Sequence, residues 1–203
     1  MSYEFVLVER KEKVGYLTLN RPEKLNAMPR KMYQEISRAL LELEADGQVW
    51  VVIVRGAGER AFSAGADLSL LHGALTSGPF EWEPFRPQRF DMGLQISKPV
   101  IAAIHGFCLA GGMELALSCD MRIAADDARF CIPAARLGLG YAYAGLKRLV
   151  DIVGPAYAAE IFATARRYDY RRYLHGSMAG LTSRYARGLA SSISMIGMSS
   201  LIG

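Results

Sequence analysis

The run Ile104-His-Gly-Phe-Cys-Leu-Ala-Gly-Gly-Met-Glu-Leu-Ala-Leu-Ser-Cys-Asp120 aims bare backbone N–H groups and one carboxylate at a single spot. A buried strand, Pro99 to Ile104, runs into a turn whose glycines can take positive φ and leave the backbone uncovered, and an apolar helix follows at once. The first helical N–H groups have no intrahelical partner and carry the positive end of the helix dipole. Gly111 can therefore donate to an oxygen that gains negative charge during a reaction. Glu114, one turn in, would stand beside the reacting carbon. Taken alone, the same residues also fit a plain helix start, where an early Glu complements the dipole and a glycine pair serves close packing.

The surrounding pattern says what must position these groups. Tyr3–Val8 and Val14–Asn20 alternate apolar and polar residues around the charged turn Glu9–Lys13, which predicts an antiparallel hairpin. Arg30–Ala45 places Met32, Ile36, Ala39, Leu40 and Leu43 on one helical face, with Pro29 suited to the first helical position. Trp50–Val54 reads as a strand covered on both faces. Arg55–Asp67 reads as a long glycine-rich loop, and Leu68–His72 as the start of a short helix. Val49–Ala66 and Val100–Gly111 thus repeat one unit: buried strand, small-residue turn, helix start. Side by side, two such units would bring two bare turns together and offer two donors to one oxygen.

Further along, Thr76–Pro87 lacks periodicity and reads as a surface loop. Met121–Ala125 reads as another buried strand, Phe130–Leu139 as an extended stretch, and Leu146–Val153 and Ala156–Ala165 as helices separated by Gly154-Pro155. From about Tyr170 to Gly203 the composition shifts to Ser, Gly, Arg and Tyr with no apolar period, and no structure is expected there.

Composition narrows the classes of function. At 203 residues the chain is one large domain, or a domain with a short appendage, with enough sequence for a substantial core. No apolar run reaches the ~20 residues of a membrane span, so a soluble protein without membrane contact is expected. The start Met-Ser-Tyr-Glu-Phe-Val has no basic region or apolar block of a secretory signal, which points to the cytoplasm. Cys108, Cys119 and Cys131 form no C-x-x-C pair and make no metal pattern with His72, His105 and His175, so they read as buried thiols. The net charge of +4 is too small to argue for nucleic acid, although six arginines against the single acid Asp169 lie from Arg166 onward. No G-x-G-x-x-G follows the first strand, and Ser63 and Ser118 lack a nucleophile elbow, which disfavours dinucleotide binding and serine hydrolysis.

Five strings together resemble the crotonase, or enoyl-CoA hydratase/isomerase, superfamily. They are Leu-Asn-Ala at 25–27, Ala-Phe-Ser-Ala-Gly-Ala-Asp at 61–67, Lys-Pro-Val-Ile-Ala-Ala-Ile-His-Gly at 98–106, Ala-Gly-Gly-Met-Glu-Leu-Ala at 110–116 and Cys-Asp at 119–120. Each is weak alone; their order and spacing are specific, and the match runs from about Tyr3 to Tyr168. The resemblance implies an α/β fold, a crotonase-like spiral of repeated ββα units, over residues 1–169. It also implies that the N–H groups of Ala66 and Gly111 form an oxyanion hole for the thioester carbonyl of an acyl-CoA. The backbone of Ala64, Gly65, Ala66, Asp67 and Leu68 would touch the adenine end of coenzyme A, with Lys24 and Leu25 along the nucleotide and pantetheine. Coenzyme A enters as part of the substrate, and no separate cofactor is implied. Family members commonly assemble as trimers or paired trimers, so a homo-oligomer is implied as well.

Glu114 matches the first of two glutamates with which hydratases of this family hold and activate water. The helix dipole favours its anion by ~0.3–1 kcal/mol, while burial beside Met113 and Leu115 disfavours it. In a dry pocket burial prevails and the carboxyl moves toward neutrality, where it can act as base and acid. Two departures set this chain apart. The second glutamate should follow the proline of Phe130-Cys-Ile-Pro-Ala-Ala-Arg-Leu-Gly138, and Ala134 stands there. Tyr141 and Tyr143, or an acid from Glu81–Asp91, are the candidates to replace it. The second departure is the tail: residues 170–203 do not follow the family pattern, and a truncated or frame-shifted coding region is expected. Hydration leads. Isomerisation, decarboxylation (suggested by Leu-Gly-x-x-Tyr at 137–141, although the histidine of such enzymes is Ala66 here) and non-catalytic CoA-ester binding stay open.

Overall fold

A computed structural model describes residues 2–68, 96–141 and 143–169. The helix start expected at Leu68–His72, the Thr76–Pro87 loop, the Glu81–Asp91 acids and the 170–203 tail lie in whole or in part outside them. The chain opens with the expected hairpin, β1 (Val6–Lys11) and β2 (Val14–Leu19), paired from Val6 opposite Leu19 to Lys11 opposite Val14. The turn is tighter than the charge pattern suggested, because Glu12 takes φ 53° and closes it in two residues.

Helix α1 (Arg30–Ala45) has the predicted bounds and buries Met32, Ile36, Ala39, Leu40 and Leu43, with Pro29 just before it as N-cap rather than inside it. Glu35 is buried on the same face and accepts the Glu4 and Phe5 N–H groups at 3.1 and 2.7 Å, which ties the entering chain to the helix. At the other end Lys98 Nζ donates to the carbonyl oxygens of Leu43, Glu44 and Asp46 at 2.6–2.8 Å. A cation there satisfies acceptors that the helix leaves open.

Three strand pairs then step between two sheets. Strands β3 (Val51–Gly56), β5 (Val100–Ile104) and β7 (Met121–Ala124) extend the hairpin in the order β1-β2-β3-β5-β7, parallel from β2 onward. Their partners β4 (Ala61–Ser63), β6 (Phe107–Leu109) and β8 (Arg129–Cys131) form a second sheet, closed by antiparallel β9 (Tyr168–Asp169), in the order β4-β6-β8-β9. Helices α2 (Gly111–Ser118) and α3 (Ala134–Leu137) follow β6 and β8. This is the expected α/β spiral of ββα units. It corrects two readings: β4 lies within the supposed Arg55–Asp67 loop, and β6 separates the Ile104 turn from the helix. Both strands have three residues, too few for a period of two to register.

The main core packs α1, α2 and one face of the larger sheet around Leu17, Val52, Val54, Phe62, Leu115 and Ile161. Val14, Tyr16 and Ile53 form a small cluster on the other face, where the Arg55 guanidinium lies 4.9 Å from the Tyr16 ring centre. Trp50 is 66% exposed and precedes β3, contrary to the fully covered strand expected over 50–54. Helices α4 (Tyr143–Val153) and α5 (Pro155–Thr164) close the described fold, broken at Gly154, φ 79°.

Candidate functional site

The first bare turn is shaped by a buried asparagine. Asn26 is fully buried; its Nδ2 donates to the Ala57 and Ala61 carbonyls at 3.0 and 2.8 Å, and its Oδ1 accepts the Arg21 N–H at 2.9 Å. Ser63 Oγ donates to the Asn26 carbonyl at 2.8 Å and accepts the Gly65 N–H at 3.1 Å. Backbone bonds from Ala64 to Leu25, Met28 to Gly65 and Asp67 to Met28, all 2.7–3.1 Å, lay residues 25–28 against 64–67. Leu25 and Lys24 therefore flank the Ala64–Leu68 turn. Lys24 ends a short 3₁₀ turn and is exposed, and Leu68 is exposed. The Asp67 carboxylate is paired with the Arg21 guanidinium.

The second turn meets the first. Gly65 has φ 92°, and a Cβ there would lie 2.8 Å from the Gly111 nitrogen, the Ala110 Cβ and the Leu109 oxygen. A Cβ on Gly112 would lie 2.5 Å from the Ser63 oxygen. The glycine pair thus serves close approach, while positive φ falls on Gly106 (53°) and on Ala110 (48°), the N-cap of α2. The turn after Ile104 thus has the expected positive-φ glycine at Gly106, and a non-glycine, Ala110, adds a second such residue. Ala110 is held there because its N–H donates to the Cys131 carbonyl and its oxygen accepts the Glu114 N–H.

As a result, a Cβ on Gly111 would sit only 3.4 Å from the Ala66 nitrogen. Among the described residues neither the Ala66 nor the Gly111 N–H has a backbone acceptor. Two neighbouring amides without backbone acceptors, one of them at a helix N-terminus, are the elements from which an oxyanion site is built.

Glu114 lies one turn into α2, in the wall of a small cavity that Ala110, Leu117, Ile132, Tyr141, Leu146 and Leu149 complete. Burial raises its pKa above the ordinary carboxylate range, opposed by the Arg148 guanidinium. Gly145 gives it room: a Cβ there would lie 3.2 Å from Glu114 Oε1. Burial, with the Glu114 charge adding to it, pushes the Tyr141 phenol up, so it stays a donor at working pH. Its ring packs edge-on against Phe162 at 5.2 Å. Tyr143 is 79% exposed and does not line the cavity, which removes it as a substitute for the missing glutamate. Ala134 is 1% exposed at the start of α3 and brings no polar group.

Sequence reasoning missed Asn26, Gly145 and Arg148. Asn26 lies within a legible string, but nothing local says that it fills a buried polar hole or that Gly145 abuts a carboxylate 31 residues away. Cys108, Cys119 and Cys131 are buried free thiols, and burial moves Cys119 up to about 12. The described residues contain no group of three or more metal-ligating side chains, and no helix among them is long and apolar enough to cross a membrane.

Known proteins share this fold. The family model for enoyl-CoA hydratase/isomerase matches residues 9–173. The chain is 37% identical over 165 residues to a crotonyl-CoA hydratase of Syntrophomonas wolfei, a match covering 81% of this chain and 64% of that protein. It is 39% identical over 166 residues to a short-chain-enoyl-CoA hydratase of Clostridium acetobutylicum, covering 82% and 64%. It therefore spans just under two thirds of the length of both. The crystal structure of an enoyl-CoA hydratase/carnithine racemase from Magnetospirillum magneticum superposes with a TM-score of 0.82 at 29% identity, over 97% of this chain and 75% of that one. The enoyl-CoA hydratase of Mycobacterium tuberculosis H37Rv superposes with a TM-score of 0.74 at 33% identity, over 98% and 82%.

Proposed function

The chain belongs to the enoyl-CoA hydratase/isomerase family, and from that premise we propose that it hydrates a short enoyl-CoA thioester. The observation that supports the reading is the approach of Gly65 to Gly111, which brings the Ala66 nitrogen close to the start of the helix that carries Glu114. A thioester oxygen held there gains charge when a nucleophile adds to the β-carbon, and preset donors stabilise that charge without reorganising. Coenzyme A enters with the substrate, so the reaction requires no separate cofactor, metal or nucleic acid.

With alanine at 134, one carboxylate must serve twice. Glu114 takes a proton from water while the water oxygen bonds to the β-carbon, and the π electrons move to the thioester oxygen. The enolate then collapses, and the Glu114 carboxylic acid returns the proton to the α-carbon. Atoms balance, and Glu114 ends ionised as it began. A raised pKa suits both halves, because the anion must accept a proton and the acid must release it.

The buried, apolar Ala134 favours a second reading in which the enolate meets another fate, as in isomerisation or decarboxylation, or is never formed, as in a CoA-ester-binding protein. One experiment separates them: short enoyl-, β,γ-enoyl- and malonyl-type CoA esters are incubated with the protein and with Glu114→Gln, and products are weighed by mass spectrometry. Hydration by the wild type and its loss in the variant support the first reading. Conversion of only the other esters replaces it, and binding without conversion supports the last. Cytoplasmic residence and homo-oligomeric assembly, trimer or hexamer, extend the same proposal; sedimentation equilibrium tests the second.

A further inference from the structure

We propose that Tyr33 is a third, side-chain donor at the point between the Ala66 and Gly111 N–H groups; this rests on the reading of that point as a thioester oxyanion site. Tyr33 lies on α1, one residue after buried Met32, and its ring packs against the main core. Its Oη is 3.0 Å from the position a Cβ on Gly111 would take, the same position that lies 3.4 Å from the Ala66 nitrogen and 3.5 Å from Met28 Cε. The phenol oxygen, the Ala66 nitrogen and the Met28 methyl thus all lie close against Gly111, the first residue of α2.

Everything around Tyr33 keeps its proton in place. Burial pushes the phenol well above its ordinary pKa, and the neighbouring Glu114 carboxylate and Tyr141 phenol push the same way. Among the described residues, the charged and titratable groups that face Glu114 in turn are Arg148 from α4, Tyr141 and Tyr33 itself. A neutral phenol gives a hydrogen bond that strengthens as the oxygen in front of it gains charge, which is the selectivity an oxyanion donor needs. The hydroxyl transfers no proton; it donates and remains a phenol. Tyr33 is also the only phenol in Arg30–Ala45, and α1 carries it from outside both glycine turns.

Tyr33→Phe removes the oxygen and retains the ring. The expected result is a fall in kcat of about 10²-fold with KM changed little, the loss typical of one oxyanion donor. A readout that needs no turnover accompanies it: the carbonyl stretch of a thioester, ¹³C-labelled at the carbonyl, bound to wild type and variant. The wild type should shift the band to lower frequency, and Tyr33→Phe should return part of that shift. If kcat and the band are the same in both proteins, Tyr33 is no donor. If the wild type binds the ester without shifting the band, the oxyanion reading falls and this proposal with it. A shifted band that relaxes in Tyr33→Phe, in a protein that hydrates nothing, supports Tyr33 and overturns only hydration.

Discussion

The Gly65 Cα faces the Gly111 amide so closely that a single methyl group between them would lie 2.8 Å from that nitrogen. Two turns 46 residues apart in sequence are in contact here because parallel strands β4 and β6 lie side by side, with Ala61 opposite Phe107 and Ser63 opposite Cys108. The geometry of the donors follows from sheet register and from the missing side chain.

Gly65→Ala should therefore damage both fold and site. An alanine at φ 92° costs about 1–3 kcal/mol in backbone strain before any clash is counted. Thermal unfolding should show the loss, and CoA-ester turnover should fall further than stability alone explains, because relief of the clash moves Gly111. A variant with wild-type melting temperature and turnover would contradict the account.

Removing the charge from Glu114 should stabilise the protein near neutral pH. Burial raises the folded-state pKa above the unfolded value, so the folded state holds the proton more tightly, and stability is lost as pH rises from the unfolded pKa through the folded one. Glu114→Gln does not titrate. Its melting temperature should exceed that of wild type at pH 7, and the gap should narrow below the ordinary carboxylate range.

Arg148→Met should move the acidic limb of the pH–rate profile upward. Arg148 is the group that opposes burial at Glu114, while the Tyr33 and Tyr141 phenols that also face it stay neutral. Since the base works ionised, loss of the guanidinium requires a higher pH for the same rate. The profile of kcat/KM measures this directly, and a limb that stays put or moves down would show that Arg148 does not act on the carboxylate.

Asn26→Ala should be among the costliest polar substitutions outside the cavity. It leaves the Ala57 and Ala61 carbonyls and the Arg21 N–H without their side-chain partners, at about 1–3 kcal/mol for each group left buried and unsatisfied. Denaturant titration should register the loss. Isothermal titration should show weaker CoA-ester binding, because the 64–68 turn hangs on the same segment.

Several features were open to sequence reading for local reasons. Helix α1 was legible to the residue because its apolar face recurs at helical spacing, and β5 because a short apolar run follows Pro99. Glu114 stood out because it is the one carboxylate in an apolar helix that begins with two glycines. Asn26, Gly145 and Arg148 carried no such signal: each matters through a partner distant along the chain.

By itself, the sequence determined where the glycine-rich turns lie, where the carboxylate lies in its helix, and that alanine occupies position 134. These are local properties of composition and period. Only the tertiary structure decided that β4 and β6 pair in a register that brings Ala66 to Gly111, that Tyr33 reaches them from α1, and that Tyr143 turns to solvent while Tyr141 lines the cavity. The physical reason is that these distances are set by packing between elements remote in the chain, where a three-residue strand or a missing Cβ decides the outcome and leaves no periodic trace.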